Sequence, residues 1–211
     1  MAIEHRADHE VGLLVVGAAC HWVLTGYACT QAAALWARVE KSVDQVTDPR
    51  LSIVALSGIC TCAYVGADTR KALATADRLI MLAESTEDID SKVIAYSGAG
   101  PILHYLGQFA RCERLLEFVL DSYRPGRKSG FGRLHDPKVT AYNWLGLCHL
   151  AAGRFDQAKR YARMAVDHAT GIAQPFVLST ALSIAARAFA ETGDEKTTFD
   201  LCDRCIELSD S

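Results

Sequence analysis

Apolar and small residues recur at helical spacing along this chain, most clearly in the segment 141–170. Its second half carries Ala158, Ala162 and Ala165 at intervals of four and three, which places them on one face of an α-helix. The first half shows a similar aromatic and aliphatic pattern, and Gly153 separates the two halves as a turn residue would. The segment therefore predicts two antiparallel helices that approach each other closely through small side chains.

The same helix–turn–helix unit can be placed over the rest of the chain. The position of Ala158 has counterparts at Ala32, Ala72, Cys112 and Thr198, so successive units lie 40, 40, 46 and 40 positions apart. Repetition at such a period is typical of solenoids, in which each unit packs on its neighbours. We predict an all-α fold, a right-handed superhelix of about five antiparallel helix pairs. The predicted repeats, within a single domain 1–211, are 8–46, 49–84, 89–123, 137–170 and 174–208.

Start signals agree with these boundaries, and one proline does not. Asp48-Pro49 and Asp136-Pro137 each place a capping carboxylate before a proline at the first helical position. Pro101 lies inside the fifth predicted helix, where its ring removes one backbone hydrogen bond. We therefore expect a kink in that helix.

Composition and charge exclude several classes of protein. Hydrophobic residues make up 50% of the chain and charged residues 22%, which excludes a disordered polypeptide. The net charge of −3 argues against a general nucleic-acid-binding surface. The sequence contains no phosphate-binding loop and no zinc-protease or nucleophile-elbow motif. We accordingly predict a protein that is not an enzyme and that uses no metal and no cofactor.

The apolar segment 11–29 imitates a membrane span or a signal peptide. The residues before it carry three acidic side chains against one arginine, whereas a signal peptide needs a basic start. His21 would also lie near the centre of a bilayer, which is energetically costly. We therefore predict a buried helix in a cytoplasmic protein without a membrane partner, and reduced cysteines.

Eight cysteines could indicate a thiol or metal site, and the best candidate is the C-x-x-C pair Cys202 and Cys205. In the repeat register, however, these two residues occupy the places of Ala162 and Ala165. We predict that they are small core residues, with a thiol or metal site as the alternative. His149 follows Cys148, but neighbours on one helix point about 100° apart, so we predict a packed histidine and not a nucleophile pair.

The repeat unit resembles the tetratricopeptide repeat, with its Leu-Gly pair, turn glycine and inward-facing small residue. Its period near 40 and several segments resemble the C-terminal helical sensor regions of bacterial signal-transduction ATPases and winged-helix transcriptional regulators. The segments that carry this resemblance are 102–107, 123–125, 131–132, 135–136, 156–158, 169–176 and 178–181. It covers roughly residues 30–205, and the upstream ATPase and DNA-binding domains have no counterpart in this chain.

The resemblance implies a non-catalytic module that binds a protein partner, a peptide or a small effector, without direct nucleic-acid binding. Such solenoids bind along the concave groove that their first helices line. The repeat register predicts that this groove is lined by Thr61, Tyr64, Ser97, His104, Tyr105, Asn143 and Arg187. The lysine and asparagine pattern of chaperone-binding tetratricopeptide domains is absent, so a chaperone tail is disfavoured.

Two further surfaces are candidates for interactions. The insertion 124–136 is basic in an acidic protein, and the residues concerned are Arg124, Arg127, Lys128 and Arg133. It predicts a site for an anionic ligand or an acidic partner, with a merely solvated insertion as the alternative. The first helix lacks the polar outer face that a terminal repeat needs, which predicts a homodimer through a terminal helix and, as an alternative function, an assembly scaffold.

Overall fold

A computed structural model describes residues 6–124, 134–172 and 174–210 of the protein. This part of the chain contains only helices and turns, with no β-strand. The helices are α1 (Arg6–Thr25), α2 (Thr30–Ser42), α3 (Pro49–Val65), α4 (Thr69–Glu84), α5 (Ile89–Tyr105), α6 (Phe109–Ser122), α7 (Pro137–Ala151), α8 (Phe155–Ile172), α9 (Pro175–Glu191) and α10 (Glu195–Asp210), with a short 3-10 helix, Val43–Gln45, after α2. The prediction of an all-α fold is confirmed.

The helices form five antiparallel hairpins stacked in chain order. Within each hairpin the two helices pack together, from α1 on α2 to α9 on α10. Between hairpins, each first helix also packs on the next first helix, from α1 on α3 to α7 on α9. The first helices therefore form one continuous inner layer of the solenoid, and the second helices lie outside it.

Left-handed backbone residues make the turns inside the hairpins. Gly107, Gly153 and Gly193 have φ values of +73°, +71° and +76°, a conformation that glycine adopts without a steric penalty. Ala67 takes the corresponding place after α3 with φ of 60°, where its Cβ makes the same conformation costly. The same backbone conformation thus recurs at the turns of four hairpins.

Carboxylates cap the helices that follow the predicted Asp-Pro signals. The side chain of Asp48 accepts a hydrogen bond from the backbone of Arg50, 2.9 Å away. Asp136 accepts from the backbone of Lys138 and Val139 at 2.9 and 3.0 Å. Both helices begin at the proline, because its missing N–H would have no partner there in any case.

Small residues allow the two helices of a hairpin to approach closely. A Cβ at Gly146 would lie 3.4 Å from the carbonyl oxygen of Ala158 on the partner helix. At the equivalent contact in the second hairpin, Cys60 is fully buried and its thiol donates to the carbonyl oxygen of Ala72 at 3.2 Å. Cys112 is likewise buried on α6. These two cysteines pack where other repeats carry glycine or alanine.

The prediction for Cys202 and Cys205 needs correction. Both residues lie on α10 and pack against the core of the last two hairpins, but both remain only half-buried. No further hairpin covers α10 in the described part of the chain, so the helix face that is internal in α8 is partly open here. Their position is therefore at the edge of the core.

Two further sequence expectations concern single helices. Helix α5 runs without interruption through Pro101, and the kink expected at this proline stays a prediction. No described helix, α1 included, combines the length and the apolar character that a bilayer crossing requires.

Ion pairs connect the second helices of successive hairpins, or the residues that flank these helices, on the outer surface. Each pair joins a basic residue of one hairpin to an acidic residue of the hairpin before it. The pairs are Lys71–Glu40, Arg78–Asp44, Arg111–Asp77 and Arg154–Glu113. All of them are substantially exposed, so each stabilises the fold by at most about 1 kcal/mol.

Candidate ligand-binding cavity

A cavity of about 450 Å³ lies on the inner face of the solenoid. The first helices of all five hairpins contribute to its wall, together with the turn after α1, residue Trp36 of α2, and the residues just before α7. Its volume is within the range of pockets that bind small molecules. The inner helical layer therefore forms a half-open cavity of ligand size.

Equivalent repeat positions form a polar column along this wall. Ser57, Ser97, Asn143 and Ser183 all line the cavity and are separated by 40, 46 and 40 positions, the intervals of the repeat itself. Each lies on the first helix of its hairpin, from α3 to α9. The repeat thus places one hydrogen-bonding side chain per hairpin at the same height of the groove.

The hydroxyl groups of the wall already donate their hydrogens to their own helices. Ser57 donates to the carbonyl oxygen of Ile53 at 2.8 Å and Ser97 to that of Ile94 at 2.9 Å. The same back-bonding is made at 2.9 to 3.0 Å by Thr61, Thr140, Thr180 and Ser183. Because a hydroxyl has one hydrogen and two lone pairs, these groups meet a ligand as acceptors.

Aromatic rings from three adjacent first helices make one side of the cavity. Tyr64 of α3 and Tyr105 of α5 stack with ring centroids 4.3 Å apart. Trp144 of α7 meets Tyr105 edge to face at 4.8 Å. Rings at these separations hold one another in place, so this side of the wall is preorganised.

A second aromatic cluster comes from the first hairpin. The rings of Trp22 and Trp36 are 4.9 Å apart, and Tyr27 lies 5.0 Å from Trp22. Trp36 belongs to α2 and reaches the inner face only because Gly58 of α3 has no side chain. A Cβ at Gly58 would lie 2.0 Å from the Trp36 ring.

Tyr27 also closes the cavity against the other end of the solenoid. Its hydroxyl is hydrogen-bonded to Nε2 of His135, and its ring stacks on the imidazole with centroids 6.2 Å apart. Phe176, at the start of α9, lies 6.3 Å from the Tyr27 ring. Burial raises the pKa of Tyr27 well above its usual range, which keeps the phenol neutral. The first hairpin is thus in direct contact with the fourth and fifth.

Three side chains of the wall contain buried polar atoms without a hydrogen-bond partner among the described residues. They are the Oδ1 atom of Asn143 and the indole nitrogens of Trp22 and Trp36. Buried polar atoms are normally hydrogen-bonded, and each one left unpaired costs about 1–3 kcal/mol. Their accumulation at one cavity is the kind of deficit that a bound ligand offsets.

The structure brings five of the seven predicted groove residues together. Thr61, Tyr64, Ser97, Tyr105 and Asn143 all line the cavity.

His104 and Arg187 do not line it. His104 is buried behind the wall, because it neighbours Tyr105 and adjacent residues of a helix point about 100° apart. Arg187 is exposed on α9, where its Nε donates to Glu191 at 2.7 Å. Its charge is still close enough to act on the pKa values of Tyr64 and Tyr105.

The basic insertion is mostly outside the described residues. Arg127, Lys128 and Arg133 fall in the segment 125–133, and Arg124 is exposed just before it. The anion-binding role of this insertion stays a prediction.

A buried thiol pair lies behind the cavity wall. Nδ1 of His104 is 3.4 Å from Sγ of Cys148, and both side chains are buried. Hydrogen bonding from Cys112 and then from His104 lowers the pKa of Cys148. The interaction with Cys148, followed by burial, raises the pKa of Cys112.

Metal ligands are not clustered in the described part of the chain. No group of three or more histidine, cysteine, aspartate and glutamate side chains in the ranges 6–124, 134–172 and 174–210 could hold an ion. The eight cysteines are all free thiols.

Comparison with known proteins identifies similar folds. The sequence matches no protein-family model and no curated protein. The structure is similar to BtubC (BKLC) from P. vanneervenii, at 16% identity and a TM-score of 0.62, over 94% of this chain and 81% of that one. It is also similar to a Podosopora anserina putative kinesin light chain with nearly identical TPR-like repeats, at 13% identity and a TM-score of 0.61, over 99% and 96% of the two chains.

A third similar structure is MamA from Desulfovibrio magneticus RS-1, at 14% identity and a TM-score of 0.50, over 95% of each chain. At these identities the likeness shows the fold alone. The protein is a tetratricopeptide-like α-solenoid.

Proposed function

We propose that this chain is a non-catalytic binding module whose inner cavity takes an effector and whose solenoid passes the binding event to a protein partner. The observation that carries the proposal is the cavity of about 450 Å³, to which the first helices of all five hairpins contribute. Residues of every repeat therefore line one binding space. A ligand there can bias the packing of the hairpins, and a partner that senses this packing then responds.

The biological setting belongs to the same proposal. The segments that resemble bacterial sensor regions support a role in a transcriptional or signalling regulator, where the chain would be the sensor and interaction part. Eight free thiols and no disulfide in the protein support a reducing, cytoplasmic location.

A ligand-dependent stability screen tests the proposal. The wild-type protein and a Ser183→Trp variant are heated in the presence of a library of peptides and metabolites. Ser183 is exposed on the inner face of α9, so tryptophan fills the cavity without entering the core. We expect compounds that raise the melting temperature of the wild type and not that of the variant. A library that stabilises both proteins equally, or neither, contradicts the proposal.

An assembly scaffold is a second candidate, favoured by apolar residues on the terminal helices. Leu13 and Leu24 of α1 are 76% and 78% exposed, and Phe199 and Ile206 of α10 are 66% and 59% exposed. Apolar stripes of this kind mark protein contacts. Light scattering at high micromolar concentration tests a homodimer through α1, with Leu13→Glu combined with Leu24→Glu as the disrupting variant. A wild-type monomer at that concentration would rule the dimer out.

A further inference from the structure

We infer that the ligand of the cavity is a compact, uncharged and largely aromatic or aliphatic molecule that carries at least one hydrogen-bond donor. This inference rests on the proposed function, because it assumes that the cavity is the binding site. Of the three ligand classes, a peptide, a charged metabolite and a neutral molecule, we infer the neutral molecule. Charge, hydrogen bonding and shape support it separately.

The charge of the wall disfavours an ionic ligand. The described residues that line the cavity include no aspartate, glutamate, lysine or arginine. The imidazole of His135 is engaged with Tyr27. Arg187, outside the lining, is close enough to act on Tyr64 and Tyr105, but its charge is paired with Glu191. An ion moved from water into this wall therefore loses hydration without gaining an unpaired counter-charge, which is unfavourable. A neutral ligand avoids this cost.

The acceptors of the wall call for a hydrogen-bond donor on the ligand, and the unpartnered indole N–H groups of Trp22 and Trp36 call for an acceptor as well. Six wall hydroxyls donate their hydrogens to carbonyl oxygens of their own helices, so only their lone pairs remain for a ligand. Three of the six belong to Thr61, Thr140 and Thr180. Asn143, which is 4% exposed, adds an amide oxygen without a partner among the described residues. A ligand N–H or O–H finds acceptors on four consecutive first helices. The rings of Tyr64, Tyr105 and Trp144 offer their surface to an aromatic or aliphatic body.

The shape of the cavity favours a compact molecule over an extended peptide. A peptide strand advances about 3.3 Å per residue and needs an open groove along several hairpins. Here Tyr27 crosses from the first hairpin to His135 and Phe176 and bounds the space. A volume of about 450 Å³ suits a small molecule bound in this half-open cavity.

Three related fluorescent probes test the three requirements. N-phenylnaphthylamine is neutral, aromatic and has one N–H donor. Its N-methyl derivative lacks the donor, and anilinonaphthalene sulfonate adds a negative charge. We expect saturable binding of N-phenylnaphthylamine to the wild type, about three- to tenfold weaker binding of the N-methyl probe, and at least about tenfold weaker binding of the sulfonate.

Two tryptophan variants test whether the fluorescent probe binds in the cavity. Ser183→Trp should abolish binding of N-phenylnaphthylamine, whereas Ser209→Trp, at an exposed serine of α10 outside the cavity, should bind it like the wild type. The triple variant Thr61→Val, Thr140→Val and Thr180→Val keeps the shape of the wall but removes three acceptors. Because Ser57, Ser97, Ser183 and Asn143 remain as acceptors, we expect the preference for the N–H probe over the N-methyl probe to be smaller than in the wild type.

The outcomes separate this inference from the proposed function. If the sulfonate binds as tightly as the neutral probe, or if the triple variant prefers the N–H probe as strongly as the wild type does, the ligand class is wrong. If peptides or charged metabolites stabilise the wild type and not Ser183→Trp while N-phenylnaphthylamine does not bind, the cavity is a binding site for another class. If no compound distinguishes the wild type from Ser183→Trp, both proposals fail.

Discussion

Nδ1 of His104 lies 3.4 Å from Sγ of Cys148, although the two residues are 44 positions apart in the chain. The contact joins α5 to α7 behind the cavity wall, and Cys112 of α6 interacts with the same sulfur. Three helices of two consecutive hairpins therefore meet at one buried polar cluster. The lowered pKa of Cys148 favours the thiolate form, but burial denies reagents access to it.

Thiol labelling should therefore follow exposure and not acidity. We expect iodoacetamide to modify Cys20, which is exposed on α1, within the native protein. Cys112 and Cys148 should react only when denaturant unfolds the chain, and mass spectrometry of the labelled peptides distinguishes the sites. Rapid native-state labelling of Cys148 would show that the cluster is open to solvent and would contradict its placement.

Gly58 should be intolerant of a side chain. We expect Gly58→Ala to lower the free energy of unfolding by about 1–3 kcal/mol, because the new methyl group collides with the ring of Trp36 inside the core. Denaturant unfolding measures the change. Gly12→Ala is the matched control on α1, where an added Cβ meets nothing within 4 Å. There the gain in helix propensity should raise stability, by about 0.5–1 kcal/mol. Equal effects at both sites would refute the close contact.

Replacing Asn143 by an apolar residue should stabilise the fold and weaken ligand binding. Its Oδ1 atom is buried without a partner among the described residues, so Asn143→Leu removes an unsatisfied acceptor and should raise the free energy of unfolding by about 1 kcal/mol. The same change should weaken any ligand that donates a hydrogen bond to this position. Asn143→Asp, which buries a charge at the same place, should instead destabilise the protein. A loss of stability in the leucine variant would mean that the amide is satisfied in the folded state.

His149 should make the protein sensitive to mild acid. Burial and the nearby Arg154 lower the pKa of His149 below its ordinary value of 6.5, and Nε of Arg154 donates to Nδ1 of the ring at 2.6 Å. The unfolded chain therefore binds a proton that the folded chain does not bind. It follows that stability falls as the pH decreases through the window just below 6.5.

Chemical denaturation at about pH 5 and about pH 8 measures this effect. The difference in unfolding free energy between the two values should be smaller in His149→Gln than in the wild type. Arg154→Gln, which removes the guanidinium but keeps the histidine, should also reduce it. An unchanged difference in both variants would exclude His149 as the source.

The fold was predictable because packing alone sets the repeat. The same small residues recur wherever two antiparallel helices touch, so Ala158, Cys112 and Ala72 disclose the period in the sequence. The left-handed turn residues Gly107 and Gly153 disclose the hairpins. Neither signal depends on a ligand or a partner. The half-buried Cys202 departs from its register because α10 has no hairpin packed on its far side in the described chain.

The cavity was only partly predictable, for two geometric reasons. The register locates residues such as Ser97 and Asn143, which share one repeat position, but it cannot decide between neighbours such as His104 and Tyr105 without the exact helix rotation. The first hairpin matches the repeat weakly, and its cavity residue Trp36 enters from a second helix through the gap at Gly58. A glycine inside a predicted helix opposite an aromatic residue is the one signal that could have indicated this contact.

The bond between Tyr27 and His135, which spans 108 positions, changes how the whole chain unfolds. A linear repeat protein unfolds from its ends, since each unit is held only by the next. Here the first hairpin is fastened to the far end, so its fraying must also break an aromatic contact with Phe176. Such long-range contacts raise cooperativity and slow folding, because a long loop must close before they form. We therefore expect the hairpins to unfold more cooperatively than those of a linear array in which only neighbouring repeats touch.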